Sequence, residues 1–209
     1  ADFLKQIFSY FGADGVEEKE VPMRPVCIRG ALKYAVYSEL LKNYPCRFSF
    51  GLETTSSRPR HGEISGCRYH FTTEEDMLEG IRTNQYVEYY KKHNDMYGLT
   101  INSVNEILDQ GRHCILDVSH DRSIRQLKSI ANIDPIVIFI DSPSAEQIMQ
   151  FDDDVMCEAS AHSLFRTGEH EKITFDYLIT HTISDASSLE DIVEKVVAIC
   201  KEESKRSKV

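Results

Sequence analysis

The sequence predicts an α/β fold built on a parallel sheet with helices on both faces, and three short apolar runs carry that prediction. "PVCI" (25–28), "HCILDV" (113–118) and "PIVIFI" (135–140) are almost continuously apolar, as strands buried on both sides must be. Segments with helical spacing separate them, and strands alternating with helices form parallel sheets through crossover connections. Ligands of such sheets bind beyond the carboxyl ends of the strands. The first run ends at Gly30 and the second at Asp117, on the same rim.

The elements follow in chain order. Residues 1–22 read as a leader or connector: "FLKQIF" offers one or two helical turns, then "GADGVEEKE" is a solvated acidic stretch. After the strand at "PVCI", Tyr34, Val36, Tyr37, Leu40 and Leu41 fall at helical spacing over residues 34–43. Residues 48–71 are β-like and rich in loops. "TTEEDMLEGIRTN" opens on Thr73 followed by three acids, a helix N-terminus. "YVEYY" reads as a strand, and "NSVNEILDQG" as a helix capped by Asn102 and stopped by Gly111. "HCILDV" is the next buried strand, "DRSIRQLKSI" its helix, "PIVIFI" the third strand and "LITHTI" a fourth. "SLEDIVEKVVAICKEES" closes the pattern as an amphipathic helix capped by Ser187 or Ser188.

Composition narrows the function. With 209 residues the chain can bury a sizeable core. A net charge of −10 argues against general nucleic-acid binding, which needs basic surfaces. "PIVIFI" is far too short to cross a bilayer, and "ADFLKQIFSYFG" has no signal-peptide core. The six cysteines have no C-x-x-C spacing and sit in scattered, often apolar runs, as free thiols in a reducing, cytosolic compartment do. The eight histidines form no metal-ligand spacing, Ser38 and Ser163 lack a nucleophile-elbow context, and "KEESKRSK" is a basic helix end.

The richest polar constellation is "TTSSRPRHGEISGCRYHF" (54–71), followed by "YVEYY" and "MYGLTINSV". Singly, "SSRPRHG" is an ordinary solvated turn and each tyrosine an ordinary core or strand residue. Their joint spacing resembles the guanylate kinase pattern T-T-R-x-P-R-x-G-E-x-x-G-x-x-Y-x-F, and "RPVCIRG" and "HCILDV" match that family's first and second core strands in order. "GRHCILDVS" and "PIVIFI" look most similar to the guanylate-kinase-like domain of the membrane-associated guanylate kinase scaffolds, especially the discs-large branch. The resemblance covers residues 23–203 and is weakest across 145–175.

The resemblance implies a phosphate-loop-kinase-like parallel sheet flanked by helices. To this it adds a β-rich nucleoside-monophosphate lobe at about 48–100, a degenerate lid at about 147–170 and a tail at 204–209. It implies that Arg60, Tyr69 and Tyr97 surround a phosphate and that Glu88 reads the guanine edge. The family's first arginine position falls on Ser57, and Arg58 stands in for it if the loop shifts by one residue. Leu99 replaces a hydroxyl residue of the base pocket, and Glu53 would repel a phosphate if it pointed inward.

The other half departs further. A phosphate-binding loop needs G-x-x-x-x-G-K-[ST], because glycines let backbone N–H groups converge, the lysine bridges phosphates and the hydroxyl holds magnesium. Counted from Gly30, those positions hold Ala35, Val36 and Tyr37, while Lys33 lies inside the loop. The lid-like "QIMQFDDDVMCEASAHSLF" carries three aspartates and no arginine before Arg166, and Ser119 stands where the enzymes have a second acid. Asp117 reads as a strand-end residue capping the next turn.

The expectation is therefore a module without catalysis, cofactor or metal, binding phosphoserine-containing peptides at Arg58, Arg60, Tyr69, Glu88 and Tyr97 beside a degenerate loop at Gly30, Val36 and Tyr37. It would work in a cytoplasmic scaffold at the inner face of the plasma membrane or cell junctions, next to an SH3 domain, without nucleic acid or membrane insertion. Two alternatives stay open: residual GMP binding or guanylate kinase activity, and an SH3- or helix-binding module with a vestigial pocket.

Overall fold

The computed structural model describes residues 23–30, 32–118, 121–131, 133–141, 175–180 and 187–206. The leader at 1–22, the lid at 147–170, Ser119, Arg166 and the side chains of Ser187 and Ser188 lie outside the described residues. Among those described, no helix is long and apolar enough to cross a membrane.

The core is a five-stranded parallel sheet. Its strands are β1 (Val26–Arg29), β2 (Phe48–Phe50), β7 (His113–Ile115), β8 (Ile136–Asp141) and β9 (Tyr177–Thr180), in the order β2-β7-β1-β8-β9. Alternation along β1 feeds both faces. Val26 and Ile28 join Val36, Tyr37, Leu40, Ile192 and Val196, so helices α1 (Lys33–Asn43) and α5 (Ser187–Glu203) cover one side. Cys27 points the other way, onto Val104, Ile107, Ile124 and Leu127 of α3 (Ile101–Asp109) and α4 (Asp121–Ile130). This is the doubly covered sheet that the apolar runs predict.

A second sheet forms the lobe. Strands β3 (Glu53–Thr55), β4 (His70–Phe71), β5 (Tyr86–Lys92) and β6 (Asp95–Thr100) order as β4-β3-β6-β5, with β6 antiparallel to both neighbours. Helix α2 (Glu74–Arg82) packs its Met77 against Tyr86 and Met96, and Thr73 caps it by accepting the Asp76 N–H at 3.1 Å. Gly98 is required here, because a Cβ would lie 2.7 Å from the Tyr86 ring and 2.9 Å from the Glu88 carbonyl.

Three expectations change. Phe48–Phe50 pairs with β7 in the core sheet, so the lobe takes up at Glu53 rather than at residue 48. The cap of α3 is Thr100, whose hydroxyl accepts the Ser103 N–H at 3.1 Å; Asn102 lies inside the helix and bonds Glu106. That shift follows from β6, a strand the sequence reading did not separate, which delivers Thr100 in extended conformation to the helix start. The β7 ladder ends at Ile115, while Leu116 and Val118 stay buried beyond it.

At the opposite end of the sheet from the rim, the first and last described elements are tied together. Arg24 pairs with Glu203, with Asp134 at 2.8 Å, and donates to the Asp134 carbonyl at 2.9 Å. Glu203 also engages Tyr177 and Arg206 and is only 5% exposed. Beside it, His113 stacks on Phe48 and places Nδ1 2.7 Å from the Arg24 carbonyl. Burial holds the His113 pKa below its ordinary value, against that hydrogen bond.

Candidate functional site

At the carboxyl end of β1 the chain turns at Gly30 with φ +109°, and a Cβ there would sit 2.2 Å from the Ile140 carbonyl oxygen. The close approach of β8 therefore demands this glycine whatever the loop binds. Val36 and Tyr37 are buried. The Tyr37 hydroxyl accepts the Ile28 N–H at 3.1 Å and lies 3.0 Å from the Ile28 carbonyl and 3.2 Å from that of Leu116. Its ring meets Phe50 edge-on at 5.6 Å. Burial pushes the phenol's pKa well above its usual value, so it stays neutral. At Tyr37, a phenol thus bridges the backbone of β1 to the chain leaving β7.

Two ion pairs close the same rim. Lys33 Nζ lies 2.8 Å from Asp117 Oδ1 and 4.7 Å from the centre of the Tyr34 ring. Burial disfavours the ammonium charge, but the bond to Asp117 and its field outweigh it, so Lys33 titrates above its ordinary value. Arg29 Nη2 lies 2.8 Å from Asp121 Oδ1, both side chains mostly buried. Asp117, read from sequence as a turn cap, is thus half of a charge pair.

The lobe positions the predicted binding residues unevenly. Tyr69 meets Tyr97 edge-on at 5.8 Å, and Tyr97 stacks on Tyr90 at 5.5 Å with planes 12° apart. The Tyr90 hydroxyl donates to the Glu53 carboxylate at 3.2 Å. Glu88 sits half-buried on β5, opposite Leu99 of β6, just after an irregularity in the ladder. Arg58 and Arg60 are exposed in a turn closed by the Arg60 N–H, which donates to Glu63 at 2.7 Å.

Glu53 does point inward. Burial raises its pKa, the bond from Tyr90 lowers it, and the nearby charges of Asp117 and Glu88 raise it again, leaving it above the usual value of 4.5. A carboxyl that holds its proton more tightly when folded loses stability as pH rises through 4.5 toward its folded value. Glu53→Gln keeps an acceptor for Tyr90 and removes the charge. At neutral pH it is expected to raise the unfolding free energy read from urea denaturation by on the order of a few tenths of a kcal/mol, because water screens a half-exposed charge. Below pH 4.5 the gain over the natural chain should vanish. A variant that tracks the natural chain at every pH would show that this carboxylate costs nothing.

Lobe and core enclose an open cleft of about 1320 Å³. Tyr69 and Glu88 line it, and Tyr97 backs onto it through Tyr69 and Tyr90, whereas Arg58 and Arg60 lie outside the lining. Sequence reasoning missed Tyr90, Arg68, Arg122 and Arg125, which also line the cleft. Tyr90 had a legible signal, since it follows Glu88 by two residues on one strand and shares its face.

Residues 22–203 match the family model described as guanylate kinase. The chain belongs to the guanylate kinase family. Within that family it is 30% identical to Disks large homolog 1 of Danio rerio over 90% of this chain and 21% of that protein. It is 32% identical to Disks large homolog 3 of Mus musculus over 87% of this chain and 21% of that one. The chain thus spans about a fifth of the length of these relatives. Its fold matches guanylate kinase from Anaplasma phagocytophilum with a TM-score of 0.54 at 20% identity, over 90% of this chain and 89% of that one. The SH3-kinase fragment of tight junction protein 3 matches with a TM-score of 0.53 at 16% identity, over 88% of this chain and 58% of that one. This is a guanylate-kinase-like domain related to those of the Disks large scaffolds, as its motifs imply.

Proposed function

We propose that this domain is a catalytically inactive interaction module that binds phosphoserine-containing peptide segments in the cleft between lobe and core. The observation that carries this reading is the filled nucleotide loop beside an open cleft. Phosphoryl transfer relies on positioning and charge neutralisation by a loop lysine and a magnesium-holding hydroxyl. Val36 and Tyr37 stand at those positions, both buried, and the phenol is spent on backbone groups. Lys33, the remaining ammonium of that turn, is held by Asp117. Among the described residues of this turn, that leaves no free ammonium or hydroxyl to bridge the phosphates of ATP.

The lobe keeps the chemistry of an anion site. In this reading Arg60, Tyr69 and Tyr97, with Arg58 beside them, hold a phosphoserine at the lip of the cleft, and the peptide continues inward past Glu88. Guanidinium and phenol donors give a dianion charge-assisted bonds in defined directions. The Disks large relatives and the SH3-kinase fragment of tight junction protein 3 support an SH3 domain as neighbour and a scaffold on the cytoplasmic side of the plasma membrane or a cell junction.

The test is fluorescence polarisation with a degenerate library of serine-phosphorylated peptides and its unphosphorylated counterpart. Arg60→Ala is expected to weaken the phosphorylated pool by about tenfold or more, the worth of one hydrogen bond to a charged group. Equal affinity for the two pools would sink the reading, as would turnover of GMP with ATP and magnesium in a coupled assay.

A further inference from the structure

We infer that Arg68, Arg122 and Arg125 form a second anion site, inside the cleft and separate from the Arg60 turn, that takes a phosphate group. The inference deepens the phosphopeptide reading and rests on it for the identity of the natural ligand. All three arginines line the cleft, Arg68 from the lobe and the other two from α4. Arg122 and Arg125 stand three residues apart, on one helix face together with Gln126. Gln126 fixes that face toward the lobe by donating from Nε2 to the Tyr86 carbonyl at 2.8 Å, so α4 is pinned to β5 one turn beyond Arg122.

Four carboxylates, Glu53, Glu88, Asp117 and Asp121, share the cleft with these three cations. The core acids at the rim are already answered, Asp117 by Lys33 and Asp121 by Arg29, each at 2.8 Å. Glu53 receives the Tyr90 hydroxyl, and Glu88 is itself engaged. Among the described residues no carboxylate forms an ion pair with Arg68, Arg122 or Arg125. Arg68 instead places its guanidinium 5.7 Å from the centre of the Tyr69 ring. Arg122 stands in the first turn of α4, where the helix dipole disfavours a cation. A doubly charged tetrahedral group between planar guanidiniums would offset that cost.

The probe is inorganic phosphate, titrated at constant ionic strength against chloride while the arginine Nε–Hε resonances are followed by NMR. The expected result is saturable movement of three arginine signals. These signals are absent in Arg68→Gln, Arg122→Gln and Arg125→Gln, and phosphate affinity falls at least tenfold in the Arg122→Gln/Arg125→Gln double variant. Both double-variant positions are exposed, and its urea midpoint checks that it folds. Lys42→Gln, at an exposed cation outside the cleft, should leave this titration unchanged. If the double variant binds phosphate like the natural domain, or if chloride moves the same signals equally, the second site does not exist. Loss of discrimination between the peptide pools with the phosphate titration intact would remove the phosphopeptide reading and leave the site standing.

Discussion

Arg24→Ala is expected to destabilise the domain by about 3–5 kcal/mol, the usual result of removing one partner from a buried ion pair. The reason is the partner left behind. Glu203 is 5% exposed, and its carboxylate sits among Arg24, Tyr177 and Arg206. Arg206 is 71% exposed on its side chain, so it supplies a screened charge that cannot replace a guanidinium embedded in the network. The same substitution leaves Asp134 with Lys128 alone, at 3.3 Å, since it loses both an ion pair and a bond to its carbonyl. Urea denaturation followed by circular dichroism reads the effect. Adding Glu203→Gln to the Arg24→Ala variant should recover part of the loss, since the stranded charge is then gone. A loss below about 1 kcal/mol would place this network with ordinary surface pairs.

The second large effect belongs to Tyr37. Tyr37→Ser, which supplies the kind of hydroxyl a phosphate loop uses, is expected to cost at least about 3–5 kcal/mol, as truncating a fully buried aromatic ring does. The ring fills space between α1 and Phe50, and its loss opens a cavity beneath the turn at Gly30. Tyr37→Phe separates the two contributions. It keeps the ring and removes only the hydroxyl that accepts from the Ile28 N–H, leaving that donor buried and unpaired at about 1–3 kcal/mol. Thermal unfolding of both variants should rank serine well below phenylalanine. The reverse ranking would mean that the hydroxyl, rather than the ring, holds the loop. Either result bears on what Tyr37 does at this turn, where its ring is part of the core.

The core sheet was largely legible because each of its main strands is buried on both faces and leaves an unbroken apolar run. The lobe was less so. β4 has two residues and β6 is interrupted by Gly98, so neither carries a pattern long enough to separate from loop. Missing β6 also moved the helix cap from Thr100 to Asn102, since a hydroxyl at the end of a strand and an amide two residues later look alike without the strand. At the site, Tyr69, Glu88 and Tyr97 were readable from their spacing in one motif. Arg122 and Arg125 were not, because α4 reaches the cleft only through tertiary packing against β5. The inward turn of Glu53 depends on Tyr90, a partner 37 residues away.

The position of β1 at the centre of the sheet also fixes the order in which the chain can assemble. Val26 finds its neighbours at Ile115 and Ile136, so the middle strand waits until most of the chain exists. The lobe pairs over much shorter separations, with Lys92 facing Asp95 across a tight turn. Loop-closure entropy makes such local pairing the faster event. The lobe and its tyrosine stack can therefore form early, while the turn after β1, whose Tyr37 phenol needs both β1 and Leu116 in place, is completed later.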